Sequence, residues 1–187
     1  MKQLMTLALL VVTAPALADW AVESDSSTLA FTSTKNEVIV ETHTFPAVSG
    51  TVSESGDVRF VVDLASVETN IPIRNERMLN LLFTGGTEAV FTTNTAVGLF
   101  TSLESGARRA WNLEGELSMN GRTARVGLPV VVTHLGGGRY QVAGGGEVDA
   151  GDFGYLDGLD ALREIAGLAS IAPTVSFSLV ATLSRMN

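Results

Sequence analysis

Alternation of apolar and polar side chains recurs along most of the chain. Between residues 174 and 184, every second residue from Val175 to Leu183 is apolar, and most residues between them are serine or threonine. Successive side chains of a β-strand point to opposite faces, so this pattern predicts a strand with one buried face. Residues 57–64 and 111–119 alternate in the same way. The chain is therefore predicted to consist mainly of half-buried antiparallel strands.

Turn signals separate these strands at short intervals. They include Glu54-Ser55-Gly56-Asp57, Asn120-Gly121 and Gly136-Gly137-Gly138. Asn120-Gly121 is the strongest hairpin signal, because both residues tolerate a positive φ. Many short strands with such turns predict an all-β fold, a closed antiparallel barrel of about eight strands whose interior can hold one small ligand. A β-sandwich is the main alternative.

Two segments break the strand period and predict short helices. Between residues 71 and 83, four apolar residues share one helical face. They are Met78, Leu79, Leu82 and Phe83. In the second segment, residues 157–170, Asp157 is suited to cap the start of the helix and Gly167 to end it. Its apolar stripe consists of Leu159, Leu162, Ile165 and Ala166.

A run of three glycines, Gly144-Gly145-Gly146, interrupts a segment that otherwise has the pattern of a strand. Glycine weakens a strand and usually marks a sharp bend of a barrel or the close approach of a bulky group to the backbone. Of these two interpretations we favour the bend.

The first eighteen residues have the pattern of a secretory leader. Lys2 precedes an apolar run that is too short to span a bilayer, and the run is followed by the small-residue cleavage pattern Ala16-Leu17-Ala18. We expect cleavage after Ala18. One mature domain, residues 19–187, would then reside in the periplasm or outside the cell.

Charge and cysteine content exclude several classes of function. The chain has a net charge of −8, which becomes −9 when Lys2 leaves with the leader. An acidic surface repels the phosphates of nucleic acids and of anionic lipids, so we expect no nucleic-acid partner and no stable membrane insertion. The absence of cysteine excludes disulfides, thiolate metal sites and a cysteine nucleophile.

The sequence lacks the common motifs of catalytic and cofactor sites, including G-x-S-x-G, H-E-x-x-H, the P-loop, the dinucleotide fingerprint and the EF-hand. His43 and His134 are far apart in sequence, and we interpret each as a hydrogen-bonded strand residue rather than half of a metal or haem site. The acidic residues between Asp149 and Glu164 fit no calcium-loop spacing. We therefore predict no enzyme activity, no metal and no resident cofactor.

Several further motifs extend over nearly all of the mature chain. They are Trp20 followed by Ser27-x-Leu29-x-Phe31, the run from Lys35 to Phe45 before Ser49-Gly50, the segments DLASVETNIPIRNERMLNLLF and LEGELSMNGRT, and the tripeptides Ala89-Val90-Phe91 and Asp152-Phe153-Gly154. In combination, these motifs resemble the YceI-like family of exported lipid-binding proteins. The resemblance implies a lipocalin-like barrel whose long apolar cavity holds a polyisoprenoid or an isoprenoid quinone, with no catalytic residues.

On this basis we predict which side chains form the ligand site. Seven inward residues would line the cavity: Phe31, Phe60, Val62, Phe91, Leu113, Phe177 and Leu179. The helix within residues 71–83 would cover one end as a lid, with Arg74, Arg77, Met78, Leu82 and Phe83. The lid arginines are expected on its solvent side, and Arg77 is expected to tie the helix to a carboxylate on the rim.

The residues alone leave other functions open. The same inward side chains also suit a barrel with a filled core. An outer-membrane barrel is a further alternative, although two tryptophans and two tyrosines are too few for paired aromatic girdles. A non-catalytic accessory to a membrane cytochrome or quinone system is the third. We favour carriage, storage or stress protection involving one hydrophobic small molecule or lipid, by a monomer or a homodimer.

The leader generates the first testable prediction. The intact mass of the exported protein should correspond to a chain that starts at Asp19, because cleavage after Ala18 removes the apolar run. Mass spectrometry of the fraction released by osmotic shock measures this directly. Retention of Met1 in protein recovered from the cytoplasm would contradict the prediction, and recovery in the outer-membrane fraction would favour the membrane-barrel alternative.

Overall fold

The computed structural model describes residues 18–186, so the expected leader lies outside the described residues except for Ala18. The strands are β1 (Ala18–Val22), β2 (Thr28–Lys35), β3 (Ile39–Phe45), β4 (Val48–Ser53), β5 (Asp57–Asp63), β6 (Glu88–Asn94), β7 (Arg108–Met119), β8 (Arg122–Gly136), β9 (Arg139–Asp149) and β10 (Thr174–Arg185). The helices are α1 (Pro72–Leu81), α2 (Gly98–Thr101) and α3 (Leu156–Ile165).

The strands form one antiparallel sheet that closes on itself. Its order is β1-β4-β5-β6-β7-β8-β9-β10-β2-β3, and β1 also pairs with β10. Eight strands, β1 and β4 to β10, thus form a complete ring. The predicted closed antiparallel barrel of eight strands is confirmed, and the β-sandwich alternative is not what the chain adopts.

The sheet closes because one edge of β10 pairs with two different strands, β1 and β2. Residues 183–185 of β10 pair with β1, whereas residues 176–180 pair with β2. A single turn of 3-10 helix, Ser24–Ser26, separates β1 from β2 and lets the chain change direction there. The β2–β3 hairpin consequently continues the wall past the ring at one end of the barrel.

The two predicted helices lie at that same end and pack against each other. α1 connects β5 to β6, and α3 connects β9 to β10. A Cβ atom on Gly158 of α3 would lie 2.5 Å from the carbonyl oxygen of Leu81, so the close contact between the helices requires glycine. The short α2, which the sequence pattern did not predict, lies at the opposite end between β6 and β7.

The ends of α3 agree only in part with the prediction. Gly167 has a φ of +63° just beyond the last turn, as a helix-ending glycine requires. The residue before the helix is Tyr155, however, and Asp157 lies within the first turn, where its charge still favours the helix dipole. Within residues 18–186, no helix has the length and apolar content needed to cross a membrane.

Inward side chains form two aromatic clusters at opposite ends of the barrel. Near α1 and α3, ring contacts run from Tyr155 to Phe83, Phe45 and Phe31. Near α2, Trp20, Phe100 and Tyr140 contact one another edge to face. Phe153 of the Asp-Phe-Gly tripeptide is 1% exposed within the first cluster, so this tripeptide contributes to packing.

The Gly144-Gly145-Gly146 run lies in the middle of β9. A Cβ atom on Gly145 would lie 2.4 Å from the carbonyl oxygen of Phe177, and one on Gly144 would lie 2.5 Å from that of Pro129. Both neighbouring strands therefore approach the β9 backbone closely, and the pairing of β9 with β10 continues through the run without a register shift. The bend favoured from the sequence stays a prediction. A Cβ atom on Gly146 would lie 3.4 Å from the ring of Phe177, so the run also accommodates a bulky side chain.

Gly145→Ala should lower the free energy of unfolding by about 1–3 kcal/mol, because the added methyl group collides with the backbone carbonyl of Phe177. Urea denaturation of the delipidated protein measures the change. Gly98→Ala is the matched control, since a Cβ atom there meets no heavy atom within 4 Å. Equal stability of the two variants would contradict the close approach of the β10 backbone to Gly145.

Candidate functional site

A cavity of about 600 Å³ lies inside the barrel. Its wall is built from the inward faces of the strands and, at one end, from α1 and α3. Phe60, Leu113 and Phe177 point into this space yet remain only half-buried. Side chains of a filled core would cover one another completely. The barrel is therefore hollow, and the filled-core alternative does not describe it.

The structure brings together all seven residues predicted to line the cavity. Phe31 lies on β2, Phe60 and Val62 on β5, Phe91 on β6, Leu113 on β7, and Phe177 and Leu179 on β10. They share the cavity because strand alternation directs each of them to the inner face of one closed sheet. Their contact with a ligand stays a prediction.

The predicted lid also borders the cavity. Met78 and Phe83 are buried against the first aromatic cluster, and Leu82 is half-buried beside them. α3 adds Leu159 and Leu162 to the same end of the cavity. The apolar stripe of α3 is visible in the sequence, but its place in the lid is not, because nothing in the local pattern shows that the two helices meet.

The tie between the lid and the barrel is made by Arg74. The Nη1 atom of Arg74 lies 2.6 Å from Oε2 of Glu41 on β3, and its Nη2 atom donates to the carbonyl oxygen of Thr69 at 2.7 Å. The side chain of Arg77 forms no hydrogen bond or ion pair with any residue of the range 18–186. The expectation that Arg77 makes this tie is therefore corrected. The first turn of α1, which carries Arg74, is the part of the helix that lies beside β3.

A polar cluster surrounds Glu41 at the lid end. Lys35 on β2 places its Nζ atom 2.5 Å from Oε2 of Glu41, the oxygen that also accepts from Arg74. The hydrogen bond from Lys35, assisted by the one from Arg74, lowers the pKa of Glu41. One carboxylate therefore lies between two cations. The strand alternation indicated no such cluster, because its members come from two strands and a helix.

His43 is the buried member of this cluster. It is 5% exposed, its Nε2 atom lies 3.1 Å from the hydroxyl oxygen of Ser33, and its ring contacts Phe31 edge to face. Burial lowers the pKa of His43, and the charge of Arg74 lowers it further. The imidazole is thus held in its neutral form.

The two histidines belong to different ends of the barrel. His134 stacks on Tyr140 of the second aromatic cluster, and its Nδ1 atom donates to the carbonyl oxygen of Leu103 at 2.8 Å. Both histidines are therefore hydrogen-bonded strand residues, as interpreted from the sequence. Among residues 18–186, no group of three or more histidine, aspartate and glutamate side chains could hold a metal ion.

Tyr155 is a candidate ligand-binding residue that no sequence pattern indicated. Its hydroxyl group borders the cavity, is buried, and has no hydrogen-bond partner within the described part of the chain. Burial raises the pKa of Tyr155 to about 12, so the hydroxyl remains protonated and able to donate. The Nδ1 atom of His43 and the Nε atom of Arg74 are likewise buried without a partner among these residues.

Replacement of His43 by glutamine should flatten the pH dependence of stability. Burial holds the folded-state pKa of His43 below 6.5, so at mildly acidic pH the unfolded chain binds a proton more readily than the folded protein does. Wild-type stability should fall as the pH decreases through about 6.5, by at most about 1.4 kcal/mol per pH unit from this group. Urea denaturation at about pH 5, 6 and 7 measures the slope. His134→Gln is the control, and a slope unchanged in His43→Gln would refute the assignment.

Known structures share this architecture. A domain from Saccharophagus degradans, described as a polyisoprenoid binding domain implicated in plant cell wall breakdown, is 27% identical and has a TM-score of 0.87. The match covers 91% of this chain and 100% of that one. BcnA from Burkholderia cenocepacia is 18% identical with a TM-score of 0.67, covering 86% of this chain and 98% of its own.

A YceI protein from Campylobacter jejuni is more distant, with 11% identity, a TM-score of 0.56, and coverage of 78% of this chain and 84% of its own. BcnA and the Campylobacter jejuni protein are both too distant in sequence to support more than the shared fold. A comparison with curated proteins found no match. The family model of the YceI-like domain matches residues 20–183, which is nearly the whole described chain. The chain therefore belongs to the YceI-like domain family, as its sequence motifs indicated.

Proposed function

We propose that this protein binds a long apolar molecule, a polyisoprenoid or an isoprenoid quinone, inside its barrel, and carries or stores it outside the cytoplasm. The observation that carries the proposal is the hollow interior of about 600 Å³. Its size falls within the range of small-molecule sites, and its walls are mainly apolar side chains.

The physical gain from filling this space is hydrophobic. Each methylene-sized unit that leaves water for an apolar wall contributes about 0.8 kcal/mol. The half-buried rings of Phe60 and Phe177 gain contacts when a chain lies against them. Because β-strands hold these rings in place, little conformational entropy is lost when the ligand enters.

The similarity to the Saccharophagus degradans domain supports the chemical class of the ligand. That domain is described as polyisoprenoid binding and aligns with this chain over its whole length. Membership of the YceI-like family favours binding over catalysis. The expected leader that ends at Ala18 supports export.

The direct test is organic extraction of the purified native protein followed by mass spectrometry. We expect a prenyl-chain lipid or quinone in an amount comparable to that of the protein, because a preformed apolar cavity retains such a molecule during purification. An extract without lipid, together with failure of the delipidated protein to bind an apolar fluorescent probe, would refute the proposal.

Phe177→Asp should abolish binding and lower the free energy of unfolding by about 2–4 kcal/mol, because its carboxylate would face the apolar wall without a partner. Binding of the apolar probe and urea denaturation measure the two effects. Ser178→Asp is the matched control, since Ser178 is the next residue of β10, is exposed and points away from the cavity. Equal effects of the two substitutions would show that the inner face of β10 does not form the site.

A further inference from the structure

The charged residues that border the cavity are unequally distributed in sign. Lys35, Arg74 and Arg77 border its lid end, and Arg59 also borders the cavity, although the chain as a whole has a net charge of −8. Glu147 is the one carboxylate residue among the described residues that border it, and Glu147 is exposed and accepts a hydrogen bond from Ser176. Glu41 neutralises only one of the three positive charges at the lid end, through the oxygen that it shares between Lys35 and Arg74. The lid end of an acidic protein therefore presents a local excess of positive charge.

Several polar atoms at this end are unused. The Nε atom of Arg74 and the Nδ1 atom of His43 are buried and have no partner among residues 18–186. His43 is more than nine-tenths buried and borders the cavity. Buried polar groups in native proteins are almost always hydrogen-bonded, so these unpaired atoms, together with the Tyr155 hydroxyl described above, indicate a missing partner in the cavity.

The side chains of Arg74 and His43 both lie beside the Glu41 carboxylate. Its Oε2 atom lies 2.6 Å from Nη1 of Arg74 and 3.7 Å from Nε2 of His43. Arg77 is three residues after Arg74 on α1, and residues at this spacing are neighbours on a helix surface. Arg77 also borders the cavity, and no residue of the described chain pairs with it.

We propose that Arg77, Arg74 and His43 form a headgroup subsite that binds acceptor oxygens at the polar end of the apolar ligand. The inference rests on the proposed function, because it places the polar end of the same ligand at the lid and its chain in the barrel. Guanidinium N–H groups only donate hydrogen bonds, so the headgroup must offer acceptor oxygens. The carbonyl oxygens of a quinone and the oxygens of a phosphate ester both satisfy this requirement.

The role of Glu41 in this subsite is positional. It holds Arg74 through Nη1, while the carbonyl oxygen of Thr69 accepts from Nη2. The N–H on Nε, which is buried and has no partner among residues 18–186, is left for a ligand. His43 is fixed in the same way, since Ser33 occupies its Nε2 atom and leaves Nδ1 unpaired.

The experiment compares three probes that share a prenyl chain of four isoprene units: the bare hydrocarbon, a quinone and a monophosphate. Dissociation constants are measured for the delipidated mature protein and for Arg77→Gln, by displacement of an apolar fluorescent probe. Wild type should bind at least one of the two headed probes about tenfold or more tightly than the hydrocarbon. Arg77→Gln should lose about tenfold to a hundredfold in affinity for that headed probe and keep its affinity for the hydrocarbon.

Three further variants separate the subsite from a structural effect. His43→Phe should show the same selective loss, Arg77→Lys should recover part of the affinity, and Arg109→Gln, an exposed arginine outside the cavity, should behave as wild type. The melting temperature of delipidated Arg77→Gln should equal that of wild type, because Arg77 has no partner within residues 18–186.

The outcomes are distinguishable. Tighter binding of the monophosphate identifies the ligand as an anionic lipid, whereas tighter binding of the quinone identifies a neutral ring as its headgroup. Either result supports the subsite. Equal affinity of wild type for all three probes, or an equal loss for all three in Arg77→Gln, overturns the subsite and leaves the apolar binding function intact. Failure of every probe to bind overturns both the subsite and the proposed function.

Discussion

The pairing of β10 with three strands is the constraint on which the rest of the structure depends. One of its edges pairs with β9 from Thr174 to Leu183, and the other is shared between β2 and β1. Because β1 completes the ring, the inward faces enclose a space instead of packing on a second sheet. Because β2 and β3 continue the wall past the ring, that end of the space is bordered by them and by α1 and α3.

The hollow interior follows from this closure together with the small residues on the inner face. A ring of eight strands is about the size at which side chains either fill the interior or leave room for one ligand. Gly115 and Gly146 occupy inward positions of β7 and β9, beside the rings of Phe91 and Phe177. These two positions contribute no side-chain volume, so large residues can line the wall without filling the centre.

The lid end combines apolar packing with an unusual concentration of charge. Phe83 and Met78 seal it through burial, while Arg74 fastens α1 to β3 through Glu41. The fastening of the lid and the chemistry of a bound headgroup therefore involve the same residues, and a ligand that engages Arg74 acts directly on the contact that holds the lid.

The sequence by itself determined the features that depend on local pattern. Period-two alternation placed Phe60, Leu113 and Phe177 on inner faces, and the apolar stripes located α1 and α3. The combined motifs indicated the family. Each of these signals can be read from the sequence because it lies within a short stretch of chain. Only the tertiary structure decided that the barrel is hollow, that Arg74 rather than Arg77 holds the lid, and that Lys35, Glu41 and His43 meet there. Those outcomes depend on which distant strands and helices become neighbours, and the order of residues along one strand or helix carries no information about its neighbours in space.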